Sequence, residues 1–226
     1  AAEQMIRGMI KMIDTGKRWV DDYKIDGFRF DLMSFHTLDA MKNFKTAVQA
    51  INPEVYVYGE GWNFGAIEND KRFVAARQAN LGGTGIGSFN DRMRDPVRGG
   101  GPFDSGIAHI RNQGFINGQW YAPNAENSGA AGERTALLRG TDNIRVWQAG
   151  GLDSYRLVNY LGATVTGREI DYAGQESGYT EDPQEAINYV EKHDNETLWD
   201  ISAYKHAAAT PTAAAELVIE TEQAYG

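Results

Sequence analysis

Cysteine is absent from this chain of 226 residues, which excludes disulfide bonds, thiolate zinc sites and cysteine nucleophiles. Long apolar runs are missing too, and no stretch reaches the roughly 18 apolar residues that a membrane-spanning helix needs. Positive charge is scarce, because 22 lysines and arginines face 31 aspartates and glutamates, for a formal net charge of -9. Without a Lys/Arg run to follow a phosphate backbone, neither nucleic acid nor an anionic membrane is expected as a partner.

The apolar residues that are present, with the aromatic ones, predict alternating helices and strands. They make up 42% of the chain, enough for a buried core. Spacings of three and four residues predict an amino-terminal helix that ends near Asp22, and a second helix over 35–51. Short apolar strands near 27–31 and 55–59 lie on either side of the second helix. Strand, helix and strand over so few residues predict a parallel βαβ unit.

The rest of the chain is less regular. Residues 65–132 are rich in glycine and asparagine, and we predict one short strand near 86–90 followed by long loops over one face. A further helix is predicted over 133–148, and a fourth strand over 188–193. No element is assigned after Asp200, where the sequence becomes rich in alanine.

Three acidic residues follow predicted strands at their carboxyl ends, namely Asp31, Glu60 and Asp194. In barrels of parallel strands with outer helices, catalytic groups gather at this end of the strands. Each acid alone has a plainer interpretation, since an aspartate after a strand is commonly a helix N-cap or a turn former. A glutamate between glycines is commonly solvated. Only the conjunction of the three favours catalysis.

Two of these acids have neighbours suited to one chemistry. Arg29 lies two residues before Asp31, on the same face of the strand, and its charge should keep Asp31 ionised at neutral pH. Glu60 follows two tyrosines and precedes Trp62, and an apolar aromatic wall raises the pKa of a carboxyl group, as a general acid needs. An ionised carboxylate and a protonated carboxylic acid, about 5 to 5.5 Å apart, are what a retaining glycosidase uses. The indole of Trp62 also offers a face for a sugar ring.

Four stretches carry a resemblance to a known family. The stretches "DGFRFDLM", "VYGEGWNFG" and "VEKHDNETLWD" resemble motifs of the alpha-amylase superfamily, glycoside hydrolase family 13, in the form found in pullulanases and limit dextrinases. The stretch "GTGIGSFNDRMRDPVRGG" resembles the same subgroup. The resemblance implies an α/β fold, a partial TIM (β/α)8 barrel from about the third helix through the seventh strand, over residues 1–200. Residues 201–226 stay an unassigned alanine-rich tail.

The resemblance also implies a role for each site residue. Asp31 would be the nucleophile, Glu60 the general acid/base, and Asp194 the third acid that stabilises the oxocarbenium-like transition state. Arg29 would orient Asp31, and His193 would hydrogen-bond hydroxyls of the sugar being cleaved. The implied reaction is retaining hydrolysis of α-1,6-glucosidic branch points in pullulan, glycogen or limit dextrins, through a covalent glycosyl-enzyme intermediate. No cofactor or metal is implied in the chemistry, and calcium is expected only elsewhere in the full protein.

The resemblance has gaps, and two alternatives stay open. Nothing matches the family's motif at the third barrel strand or its Tyr-Asn-Trp-Gly-Tyr signature, and Ser34 stands where pullulanases commonly have glycine. Four strands cannot close an eight-stranded barrel, so we expect these residues to be part of a larger catalytic domain and inactive alone unless another chain supplies the rest. The alternatives are an α-1,4-acting amylase or transglycosylase with the same acids, and a glucan-binding homologue without the chemistry.

Overall fold

The computed structural model describes residues 2–65 and 70–206, and their side chains from residue 7 onward. Most of the alanine-rich tail predicted over 201–226 lies outside the described residues. The chain divides into two compact units. The first consists of Ala1–Phe89 and Tyr179–Ile187, and the second of Asn90–Gly178 and the chain from Asn188.

The described residues form seven α-helices and eight short strands. In chain order the helices are α1 (Ala2–Tyr23), α2 (Leu38–Gln49), α3 (Gln78–Leu81), α4 (Asp91–Arg98), α5 (Ile107–Arg111), α6 (Ala131–Gln148) and α7 (Leu198–Lys205). The strands are β1 (Gly27–Phe30), β2 (Tyr56–Gly59), β3 (Gly87–Phe89), β4 (Arg156–Val158), β5 (Thr164–Thr166), β6 (Asp171–Tyr172), β7 (Gln175–Glu176) and β8 (Ala186–Ile187).

A parallel sheet of four strands lies in the first unit, in the order β1-β2-β3-β8. At the ends of β1 and β2 the register pairs Phe30 with Gly59. A Cβ at position 59 would lie 2.4 Å from the Phe30 carbonyl oxygen, so glycine is what allows the two backbones to approach this closely. Because parallel strands end at one edge of the sheet, the residues that follow β1 and β2 lie side by side.

The core of the first unit lies between α2 and the sheet. Thr37 caps α2 by accepting a hydrogen bond from the Ala40 amide at 3.0 Å, which satisfies one of the free N–H groups of its first turn. The apolar face of α2 then packs on β1, where the ring of Phe44 meets Phe28 and Phe30 edge to face. The buried core side chains are Val20, Met33, Met41, Phe44, Val48, Val55, Val57, Ala76, Leu81 and Ile86.

The second unit consists of helices and two antiparallel hairpins, β4-β5 and β6-β7. Helix α4 packs against α6 and α7. Its N-cap is Asn90, whose side chain accepts a hydrogen bond from the Met93 amide at 3.0 Å. A buried apolar cluster of this unit, from these helices and the loops beside them, consists of Val97, Ile116, Ile144, Val190, Leu198 and Ile201.

The predicted βαβ unit is confirmed, and the strand predicted over 188–193 is wrong. The strand is β8, which ends at Ile187, and the residues after it leave the sheet. Hydrogen bonds between a side chain and a backbone carbonyl replace the strand ladder there. Asn188 donates to the Trp147 carbonyl at 3.0 Å, and the Val190 carbonyl accepts from Arg98 at 2.9 Å.

Three other parts of the chain are more regular than predicted. The stretch 65–132, predicted as one strand and loops, also contains α3, α4 and α5. Hairpins β4-β5 and β6-β7 were not predicted, and α7 continues past Asp200. The partial barrel and the single domain over 1–200 stay predictions. Among the described residues, no helix has both the length and the apolar character to cross a membrane.

Candidate active site

Asp31 and Glu60 occupy the first positions after β1 and β2. The backbone hydrogen bonding of the two strands continues past their ends. Glu60 donates its amide N–H to the Phe30 carbonyl at 3.0 Å, and the Ser34 amide donates to the Glu60 carbonyl at 3.1 Å. The two acid-bearing segments are therefore fixed beside one another by main-chain contacts, independently of their side chains.

Arg29 contacts both carboxylates. One guanidinium nitrogen, Nη1, lies 2.5 Å from Asp31 Oδ1, and the other, Nη2, lies 3.0 Å from Glu60 Oε1. The same guanidinium stands over the Phe89 ring, 5.5 Å from its centre. The pairing of Arg29 with Asp31 that the sequence predicted is present. The structure adds Glu60, so that one planar cation bridges the two acids.

The carboxylate of Glu60 has hydrogen-bond partners that the sequence did not predict. Its second oxygen accepts a hydrogen bond from the Leu32 amide at 2.9 Å, and its first accepts from Arg29. Two N–H donors therefore contact a side chain for which the sequence predicted an aromatic wall from the preceding tyrosines and Trp62. The wall stays a prediction, and the Leu32 donor was not predicted, because Leu32 adopts a left-handed conformation, with φ 49°, and its N–H bonds the acid. A leucine in this conformation has no signature in the sequence.

The two acids differ sharply in exposure. The side chain of Asp31 is 65% exposed, whereas that of Glu60 is 6% exposed. A ligand that approaches the carboxyl edge of the sheet meets Asp31 first, with Glu60 buried behind it and Arg29 between them. An open carboxylate beside a buried, fixed one is an arrangement that suits a nucleophile and an acid/base with separate tasks.

Aromatic and apolar side chains follow the two acids closely in the sequence. Phe35 and Phe64 stack with their ring centres 5.2 Å apart and their planes within 6°. Both rings are partly open to solvent, as is Leu32. Trp62, which lies between Glu60 and Phe64 in the sequence, is half-buried. Exposed apolar faces beside a carboxylate pair suit a ligand with both apolar and polar faces, as a sugar ring has.

His193 and Asp194 belong to the second unit, in the irregular segment between β8 and α7. Asp194 contacts the ammonium group of Lys192, and its other oxygen lies 3.5 Å from His193 Nε2. Both site residues are exposed. Lys192 was not among the predicted site residues, although it precedes them directly. The approach of Asp194 to Asp31 and Glu60 stays a prediction.

Metal ligands do not gather in the part of the chain that the structure describes. No group of three or more His, Cys, Asp or Glu side chains there is arranged to hold an ion.

Comparison with known proteins finds pullulanases among the relatives of this chain. The chain is 47% identical over 189 residues to a pullulanase of Klebsiella aerogenes, and 43% identical over 197 residues to the chloroplastic pullulanase 1 of Arabidopsis thaliana. These matches cover 84% and 83% of this chain, but 17% and 20% of the relatives. No family model matches.

Solved structures agree with the sequence matches. A maltotriose complex of PulA from Klebsiella pneumoniae superposes with a TM-score of 0.85 at 42% identity, covering 93% of this chain and 22% of the other. The chain thus spans about one fifth of the length of the relatives that it matches.

Proposed function

From the homology of this chain to a segment of the pullulanases, we propose that it supplies the carboxylate pair of a retaining glycoside hydrolase. The substrates would be branched α-glucans such as pullulan, glycogen and limit dextrins, cut at α-1,6 bonds. The observation that carries the proposal is the bridge from Arg29 to Asp31 and Glu60 at the carboxyl edge of parallel strands. The maltotriose in the PulA complex is consistent with a glucan ligand.

In the proposed mechanism Asp31 attacks the anomeric carbon while Glu60 donates a proton to the leaving oxygen. Asp31 is the exposed acid, so its oxygens are the ones that a bound sugar meets. The charge of Arg29 favours the ionised form of Asp31, and its second nitrogen orients the carboxyl group of Glu60. A water then attacks the covalent glycosyl-enzyme, with Glu60 now acting as the base.

His193 and Asp194 keep the roles that the resemblance implies for them. We propose that Asp194 stabilises the oxocarbenium-like transition state and that His193 hydrogen-bonds the sugar hydroxyls. Trp62 would pack on a sugar ring. We expect the purified chain by itself to be inactive, because the four parallel strands among its described residues cannot enclose a substrate as a closed barrel does.

The test places this chain in the context of a complete relative. The matched segment of the Klebsiella aerogenes pullulanase is replaced by this chain, and product chromatography follows digestion of pullulan and of amylose. We expect maltotriose from pullulan and no products from amylose. Asp31→Asn should lower kcat by about 10³-fold or more, since it removes the nucleophile.

The control is Asp21→Asn, the same substitution at another exposed aspartate, on α1. It should leave kcat unchanged. Products from amylose would favour the α-1,4-acting alternative. A folded chimera that binds glucan but does not cut it would favour the glucan-binding alternative, and equal hydrolysis by Asp31→Asn would refute the assignment of Asp31.

A further inference from the structure

The segment that carries His193 and Asp194 lacks the support of a sheet. It runs from the end of β8 to the start of α7, as bends and extended chain. The side chains of His193 and Asp194 are exposed to solvent. The backbone of the next residue, Asn195, lies in the left-handed region, with φ 65°. Something other than a strand ladder must fix this segment if Asp194 is to act on a substrate.

One buried arginine holds both ends of the segment. Arg98, the last residue of α4, donates from Nη1 to the Val190 carbonyl at 2.9 Å and from Nη2 to the Glu196 carbonyl at 2.7 Å. Its side chain is 9% exposed, and Nη2 also lies 3.8 Å from the Glu196 carboxylate. The two carbonyls lie on either side of His193 and Asp194 in the chain. A single guanidinium therefore closes the segment into a loop, which we call the 190–196 loop.

Arg98 is itself fixed in place. Its carbonyl accepts a hydrogen bond from Asn117 Nδ2 at 2.7 Å, and its helix packs on α6 and α7. Further contacts follow the same segment. Asn195 Nδ2 donates to the Pro102 carbonyl at 2.9 Å, and the carboxylate of Glu191 accepts from the Leu198 amide at the start of α7. Each of these contacts fixes one part of the loop, whereas the guanidinium of Arg98 joins its two ends.

The shape of arginine suits this task. Its guanidinium carries N–H donors on three nitrogens in a fixed plane, and two of these nitrogens each bond one of the two carbonyls. The ammonium group of lysine is a single point from which the same two acceptors cannot both be met in the same geometry. A lysine at this position would keep the positive charge and the buried aliphatic part of the side chain. It would lose the simultaneous bonds to the Val190 and Glu196 carbonyls.

We propose that Arg98 is a positioning residue that holds the 190–196 loop in the conformation that Asp194 needs for the reaction. The proposal rests on the proposed function in one respect, namely that Asp194 acts in the transition state. The clamp itself rests on the contacts of Arg98 alone. The two parts can therefore be tested separately.

The first measurement is hydrogen exchange on the purified chain, comparing wild type with Arg98→Lys. We expect the amides of 191–197 to exchange at least about tenfold faster in Arg98→Lys, because one end of the loop is released. The matched control is Arg92→Lys, at another buried arginine of the same helix, whose guanidinium bonds the Glu176 carbonyl and Asp91. Arg92→Lys should leave exchange in 191–197 unchanged.

The second measurement is pullulan hydrolysis by the chimera with each substitution. A loop that misplaces Asp194 should lower kcat by about 10- to 100-fold and change KM by less than about twofold, since the interaction lost is made in the transition state. A merely structural role would lower the melting temperature of both arginine variants and leave kcat of the folded fraction unchanged.

Unchanged exchange in 191–197 for Arg98→Lys would overturn the clamp. Faster exchange with an unchanged kcat would overturn the positioning role, given a wild-type chimera that hydrolyses pullulan. A folded wild-type chimera without hydrolysis would count against the proposed function instead, and exchange would still decide on the clamp.

Discussion

The carboxylate of Asp70 holds together the residues that lead into α3. Its oxygens accept hydrogen bonds from Arg77 Nη2 at 2.7 Å, from Asn80 Nδ2 at 3.0 Å and from the Ala75 amide at 2.9 Å. The backbone of Asp70 has a positive φ, of 66°, which residues other than glycine rarely adopt. The hydrogen bond from Arg77, with those from Ala75 and Asn80, lowers the pKa of Asp70 to about 2.

The depressed pKa of Asp70 predicts a pH-dependent contribution to stability. A carboxylate whose folded pKa lies below its unfolded value stabilises the fold above about pH 4, and this contribution is lost as the pH falls toward 2. Asp70→Asn should therefore lower the free energy of unfolding by roughly 1 kcal/mol at pH 7. The difference from wild type should shrink between pH 4 and pH 2.

Urea denaturation of the two proteins at pH 7, 4 and 2 measures this difference. Asp14→Asn, at an exposed position of α1, is the control and should be indistinguishable from wild type at each pH. A difference between Asp70→Asn and wild type that stays constant across the three pH values would contradict the account.

The contacts of single residues were predictable from the sequence where the residues lie in a regular strand or helix. Alternation along a strand fixes Arg29 and Asp31 on one face, so their pairing needs nothing beyond the sequence. The environment of Glu60 was not predictable in this way. It depends on the left-handed turn at Leu32 and on the span of the Arg29 fork between neighbouring strands, and neither follows from local pattern.

At the scale of elements, β8 depends on one buried glutamate. Glu185 is fully buried, in a 3-10 helix just before the strand. Its oxygens accept hydrogen bonds from the amides of Gly83 at 3.2 Å, Gly85 at 2.7 Å, Glu181 at 3.0 Å and Asp182 at 3.2 Å. These donors come from the loop before β3 and from the turn before β8. The carboxylate therefore ties together the approaches to two adjacent strands.

Glu185→Gln should destabilise the chain by about 2–3 kcal/mol, because the amide replaces an oxygen acceptor by a donor that faces backbone N–H groups. The measurement is the free energy of unfolding from urea denaturation at pH 7. Glu181→Gln, an exposed glutamate four residues away, is the matched control and should change it by less than about 0.5 kcal/mol. Equal effects of the two substitutions would contradict the role given to Glu185.

Elements with a clear period were predictable, and elements built by long-range contacts were not. The bounds of α1, α2, β1 and β2 match the apolar periodicity to within a few residues. Strand β8 has only two residues, and its pairing partner β3 is far away in the chain, so no local pattern marks it. Helix α4 was missed because it is rich in charge and contains Pro96, although Asn90 is a recognisable N-cap.

At the scale of the molecule, the parallel order β1-β2-β3-β8 explains where the candidate site lies. Parallel strands present all their carboxyl ends at one edge, so acids that are distant in sequence become neighbours there. The sequence predicted this for Asp31 and Glu60, and the structure places them side by side. The division into two units was not predicted, because it follows from the packing of the second unit around α4 and α6.

The central claim is that Asp31 is the nucleophile of a retaining mechanism, and trapping the intermediate tests it most directly. A fluorinated glucosyl fluoride forms the glycosyl-enzyme and slows its hydrolysis, because the fluorine disfavours the oxocarbenium-like transition state. The chimera is treated with this reagent, digested and analysed by mass spectrometry. We predict a glycosyl adduct on the peptide that contains Asp31, and none in Asp31→Asn. An adduct on another carboxylate, or hydrolysis of pullulan with inversion at the anomeric carbon, would contradict the account.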